Sequence, residues 1–189
     1  MPASKRSHVI LAALLALPFF CSALSAQVRI DKIDWQISRV KDNKKLPFET
    51  VSELKLGSYQ RYADKLRAVV TAQNLSARPV EGLVLRCALS LRLVKLPAKL
   101  NVGAADPGAP DPGFWTVPFR VEEVRISRIK PGGLYEAKLI HSALNEQLKK
   151  LKNSGFRADA LKLQVMLDPR PGDEPSRIMK EAVIEIKKP

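Results

Sequence analysis

Two histidines and two cysteines are all that this chain offers for nucleophilic or metal chemistry. His8 and Cys21 fall in an N-terminal stretch treated below, which leaves Cys87 and His141. A thiolate beside an imidazole would make a nucleophile with its base. Cys87, however, belongs to the apolar series Leu83, Leu85, Cys87, Leu89 and Leu91, where a thiol behaves as a small core hydrophobe. A single imidazole falls short of a zinc site or a Ser-His-Asp triad. At a junction between strand and helix, a surface or capping role fits His141 better.

Carboxylates add little. Glu122 and Glu123 are neighbours in a strand and so point to opposite faces, whereas a glycosidase needs two carboxyls facing one cleft. Asp106 and Asp111 each precede Pro-Gly, which is ordinary turn chemistry, and calcium takes about 6–8 oxygen ligands. Neither Gly-x-Gly-x-x-Gly nor a phosphate loop is present. Asn74-Leu75-Ser76 matches a glycosylation sequon, but its setting is a turn. The expectation is a protein that is not an enzyme and takes no cofactor or metal. An enzyme would have to carry its carboxylates in the loops at 41–58 or 97–113.

Basic residues remain. Lys and Arg number 32 against 19 acids, a formal charge of +13. Arg86 and Arg92 share the solvated face of one expected strand, and Arg120 and Arg125 lie on another, brought together across an expected bulge. Lys149, Lys150 and Lys152 fall at the end of an expected helix. These seven form a candidate anion-binding surface, suited to an envelope protein or an anionic envelope polymer. No nucleic-acid partner is expected: Phe, Trp and Tyr make up 6% of the chain, most at core parity, and single strands call for stacking aromatics.

The elements that position these groups begin after an export signal. Lys5 and Arg6 precede an apolar run at 9–20 and small residues at 21–26, the layout of a secretory signal peptide with cleavage between Ala26 and Gln27. The run is too short to cross a bilayer as a helix, which takes about 20 residues. Phe20 before Cys21 does not suit a lipoprotein. The expected product is periplasmic or secreted, has no transmembrane segment, and folds as one domain over residues 27–189. Removing Cys21 would leave Cys87 without an intramolecular disulfide partner.

From Gln27 onward, period-two patterning dominates. Val28 and Ile30 alternate, and Ile33, Trp35 and Ile37 continue in the other parity, which predicts a β-bulge near Asp31 and Lys32. Residues 41–58 read as a polar loop, with Lys44-Lys45 before Leu46-Pro47 and a short edge strand near Leu54. Strands at 66–73 and 83–93 flank the turn Asn74 to Pro79 and look like neighbours. The Pro- and Gly-rich segment 97–113 leads to Trp115, Val117, Phe119 and Val121, and Val124 and Ile126 resume after an expected bulge at Glu122-Glu123. Ser142 would cap a helix with Leu144, Leu148 and Leu151 on one face, ending near Gly155. Strands at 161–167 and 182–186 complete the count. The fold class is mainly β: a two-sheet antiparallel sandwich of six or seven strands with one helix inserted near 142–152.

The unit from Val69 through Asn74, Pro79 and Gly82 to Leu85, and the later turn Ile129-Lys130-Pro131-Gly132-Gly133, resemble the immunoglobulin-like and fibronectin type III-like sandwiches of secreted bacterial proteins. The resemblance covers residues 66–140. It lacks the Cys-Trp-Cys core of antibody domains, and the helix is a departure. It implies a binding or scaffold role and carries over no site residues.

Overall fold

The computed structural model describes residues 27–42, 44–56, 65–96, 112–140 and 143–187. The expected signal peptide, Ser142, His141, Asp106 and Asp111 lie outside the described residues. The protein is mainly β. Seven long strands carry the fold: β1 (Val28–Ser38), β6 (Lys65–Asn74), β7 (Val80–Lys95), β9 (Arg120–Ile129), β10 (Leu134–Ile140), β11 (Phe156–Leu167) and β12 (Met179–Lys187). Five short ones join them: β2 (Val40–Lys41), β3 (Lys44–Lys45), β4 (Glu49–Thr50), β5 (Glu53–Lys55) and β8 (Phe114–Trp115). The expected six or seven strands are therefore the long set, and the short pieces exceed the expected count. Among the described residues two helices are present rather than one: α1 (Leu144–Lys150), and the four-residue α2 (Pro175–Ile178) opened by Pro175.

The strands form a four-stranded sheet in the order β10-β6-β1-β4 and a larger sheet in the order β5-β12-β11-β7-β8, with β9 also beside β7. Pairing is antiparallel, except that β5 lies parallel to β12. One hydrophobic core takes residues from both sheets, including Trp35, Val70, Leu85, Leu163 and Ile184, together with Leu144 and Leu148 of α1.

The bulge in β1 is where the parity shift puts it: the register slips between Ile30 and Lys32. The bulge expected at Glu122-Glu123 is absent. β9 keeps one register along β7, with Glu122 opposite Cys87 and Glu123 opposite Arg86. Two other features produce the irregular pattern. Pro118, which has no N–H for a ladder, lies in the break between β8 and β9 and lets the chain realign there. At the far end Gly82, at φ +63°, changes the parity of β7, so that Val80 and Leu83 are both buried. As a result Val117 and Val121, expected to face the core, are 83% and 66% exposed.

β6 and β7 are not neighbours either. The turn between them carries the chain from one sheet to the other, as does the turn from β9 to β10. Asn74 holds both crossings. Its side chain is fully buried, and Nδ2 donates to the carbonyls of Arg78 (2.7 Å), Ile129 (3.1 Å) and Lys130 (3.1 Å). Oδ1 accepts from the Ser76 amide (2.9 Å) and hydroxyl (2.8 Å). This amide serves the turns, in keeping with the turn role that competes with the sequon.

Candidate functional site

Most of the arginines of the candidate anion surface are already engaged. On the outer face of β7, Arg92 makes a two-pronged pair with Asp159, at 2.8 and 3.0 Å. That hydrogen bond raises the guanidinium's pKa further. Six residues back along the same face, Arg86 bridges Asp168 (2.9 Å) and Glu123 (3.3 Å). Arg120 pairs with Glu122. Because β9 has no bulge, Arg120 stands opposite Leu89 on the core-side face of the strand, and Arg125 stands opposite Val84 on the other. The two are not brought together. Arg125 is exposed and makes no ion pair among the described residues.

Lys149 and Lys150 close the last turn of α1, where a cation complements the helix dipole, and Lys152 follows in the turn beyond it. All three are exposed. α1 leaves from the end of β10 and leads into β11, so these lysines lie at the end of the molecule where β1, β7 and β12 finish and β6 and β11 begin. The seven candidate residues are therefore spread over two faces and one end rather than gathered into a single patch.

Neighbours of Arg92 form a cluster that parity alone misassigns. Trp115 pairs with Arg92 across β8 and β7 on the outer face. Lys162 Nζ lies 4.5 Å from the Trp115 ring centre and the Arg92 guanidinium 5.9 Å from it, so the indole has cations against its π face. Gly113 makes this possible. At φ +69°, a Cβ there would come within 2.7 Å of the Leu93 carbonyl oxygen.

The loop at 41–58 contains another grouping. The hairpin β2–β3 extends from the end of β1, tied back by Leu46 N–H to Arg39 O (2.8 Å) and by Ser38 Oγ–H to Leu46 O (2.6 Å). Lys41, Lys44 and Lys45 are exposed on it, beside Val40 at 58% and Leu46 at 41% exposure. The sequence signal was the Lys-Lys-Leu-Pro run, which reads as a polar loop because no period-two pattern accompanies it. Two carboxylates of this segment are in ion pairs, Glu49 with Arg39 (3.0 Å) and Glu53 with Lys187 (2.7 Å) and Lys55 (3.5 Å), and Asp42 at the hairpin turn is exposed. Lys187 holds the Glu53 carboxyl below the ordinary carboxylate range.

Cys87 is buried, and burial pushes its thiol up to about 12, with the charge of Glu122 adding to the effect. A thiol so placed is not a nucleophile at neutral pH. An apolar cleft of about 220 Å³ lies at the opposite end from α1, between Val28, Val80, Leu83 and Leu167, with Arg170 and Asp173 at its rim. Arg170 donates to Glu81 O at 2.6 Å, and its amide donates to Asp173 Oδ2 at 2.8 Å.

No family model matches the chain, and no curated protein matches it. Among solved structures, it is similar to a hemolymph-type prophenoloxidase from a crustacean, at 12% identity and a TM-score of 0.44 over 90% of this chain and 35% of that one. It is also similar to an alkylpurine DNA glycosylase from Pseudomonas fluorescens, at 9% identity and a TM-score of 0.30 over 86% of this chain and 31% of that one. A β-glucosidase from Listeria innocua follows, at 14% identity and a TM-score of 0.34 over 82% of this chain and 16% of that one. The chain spans about a third or less of the length of each.

Proposed function

We propose that the chain is an exported, non-enzymatic module with an immunoglobulin-like or fibronectin type III-like fold. It would act by binding another envelope protein or an anionic envelope polymer. The observation that carries this reading is the strand order. Taken in sequence as A, B, C, C′, E, F and G, the seven long strands fall into an A-B-E sheet (β1, β6, β10) and a G-F-C-C′ sheet (β12, β11, β7, β9), the partition used by such sandwiches. Two of the three crossings between sheets made by the long strands, β6 to β7 and β9 to β10, occur at the turns that carry the sequence resemblance. The N-terminal signal layout supports export, and the formal charge of +13 supports an anionic partner. With Arg86, Arg92 and Arg120 neutralised by the protein's own carboxylates, the anion-binding role passes to Arg125, Lys149, Lys150 and Lys152.

The test is retention of the chain from Gln27 onward on envelope fractions across a salt series. Binding lost between low and moderate salt identifies a polyanion, and salt-insensitive binding to a purified envelope protein identifies a protein partner. No retention at any salt overturns the reading. A second reading, strand addition by a neighbouring subunit, is favoured by the open side of β9, which among the described residues pairs only with β7. Charged residues at Arg120, Glu122, Glu123, Arg125 and Arg128 weigh against it, since such side chains blunt an edge.

A further inference from the structure

The positive charge is not evenly spread. At the end holding the apolar cleft and α2, Arg29 pairs with Asp31, Arg128 with Glu81 and Arg177 with Glu174, and the exposed Arg78 and Lys130 have no acidic partner among the described residues. At the opposite end Arg39 pairs with Glu49 and Lys187 with Glu53, and Asp42 is exposed, but Lys41, Lys44, Lys45, Lys65, Lys149 and Lys150 are all exposed and have no acidic partner among the described residues. They converge there because β1 ends, β6 begins, and α1 joins β10 to β11 at that one pole. The pole also presents apolar side chains, with Val40 and Leu46 projecting from the hairpin among its lysines.

Lysines around exposed aliphatic groups suit a membrane surface. Ammonium heads on flexible stems satisfy phosphates at varied positions, while short aliphatic side chains enter the boundary between headgroups and acyl chains. A rigid polyanion offers nothing for Val40 and Leu46 to bury against. We infer that the pole formed by hairpin β2–β3 and the end of α1 docks on an anionic phospholipid surface, with Val40 and Leu46 as its points of entry. This rests on the reading of the chain as a binding module, but not on the partner being a polymer.

The chain from Gln27 onward is sedimented with vesicles of phosphatidylcholine alone and with added phosphatidylglycerol. Binding is expected only with phosphatidylglycerol, and high salt removes it. Each lysine lost from the pole weakens partition about fivefold, so the double variant Lys44→Gln, Lys45→Gln binds about 25-fold less. Val40→Ser also weakens binding. Lys130→Gln, exposed at the other end, binds as the parent does. All the altered side chains are exposed, and circular dichroism checks that each variant keeps its fold. Equal binding to neutral vesicles, equal losses at the two ends, or binding to soluble polyphosphate but not to vesicles overturns the inference. Failure on vesicles with continued retention on lipid-free envelope material overturns the membrane pole and leaves the binding module standing.

Discussion

Single side chains decide several features of this protein, and Asn74 decides most. Its amide satisfies three carbonyls from two separate turns while its oxygen fixes Ser76. Asn74→Ala would strand buried acceptors and cost about 3 kcal/mol, from a net ~1 kcal/mol per hydrogen bond. Urea unfolding monitored by circular dichroism measures this directly. Cys87 makes the opposite case, a reactive group silenced by its surroundings. With the thiol raised to about 12, the folded protein is expected to resist thiol reagents at pH 8 and to react fully once unfolded. The sign for stability follows. The unfolded thiol ionises in the ordinary range and the folded one does not. The contribution of the buried neutral form is therefore complete below that range and is lost as pH rises toward about 12. Stopped-flow labelling checks the first statement, and alkaline denaturation of Cys87→Ala against the parent checks the second.

Elements depend on a few clasps. β5 is three residues long, and the Glu53–Lys187 pair at 2.7 Å ties it to the end of β12. Glu53 is held below the ordinary carboxylate range, so its contribution is present above that range and is lost as pH falls through and below it. Protection factors of the Glu53–Lys55 amides, each taken against the intrinsic exchange rate at that pH, should fall with acid before those of β11 or β7, and Glu53→Gln should show the lowered protection already at neutral pH. Equal acid sensitivity of parent and variant would refute the clasp. At the other side of the same sheet, Gly113→Ala places a Cβ against the Leu93 carbonyl. It is expected to displace β8, freeing Trp115 from Lys162 and Arg92, with a red-shifted Trp emission and a weaker near-ultraviolet signal as the readout.

Several long strands were legible from alternation because they bury mainly one face; the odd positions from Leu83 to Leu93 are all buried, whereas β6 buries both faces from Ala68 to Ala72. The bulge in β1 was legible for the same reason, and α1 declared itself through Leu144 and Leu148. The break at Pro118 was not, since two apolar runs of opposite parity look alike whether a bulge or a realignment separates them. Nor was the partner of β6, because a turn of Asn, Ser and Pro fits a hairpin and a crossing between sheets equally well. Arg86 and Arg92 share the outer face of β7, Arg120 and Arg125 lie on opposite faces of β9, and only the fold could bring Asp168 and Asp159 to the first two.

At the scale of the whole molecule, the pairings that build the two sheets join segments far apart in sequence: β1 with β6, β6 with β10, β7 with β11. Loop closure precedes most of the contacts that reward it, so refolding is expected in the millisecond-to-second range rather than in microseconds. Stopped-flow fluorescence of Trp35 and Trp115 tests this, and a microsecond relaxation would contradict it. The same separation explains why local patterning reveals strands better than their neighbours.

The parallel pairing of β5 with β12 also fixes an order of events. Among the described residues β5 has no other strand beside it, and β12 follows every other strand. During synthesis β5 emerges early, and its one sheet partner is not made until Met179–Lys187 has followed. Closure of that edge of the larger sheet thus waits on a late segment, and the early one stays without its register until then.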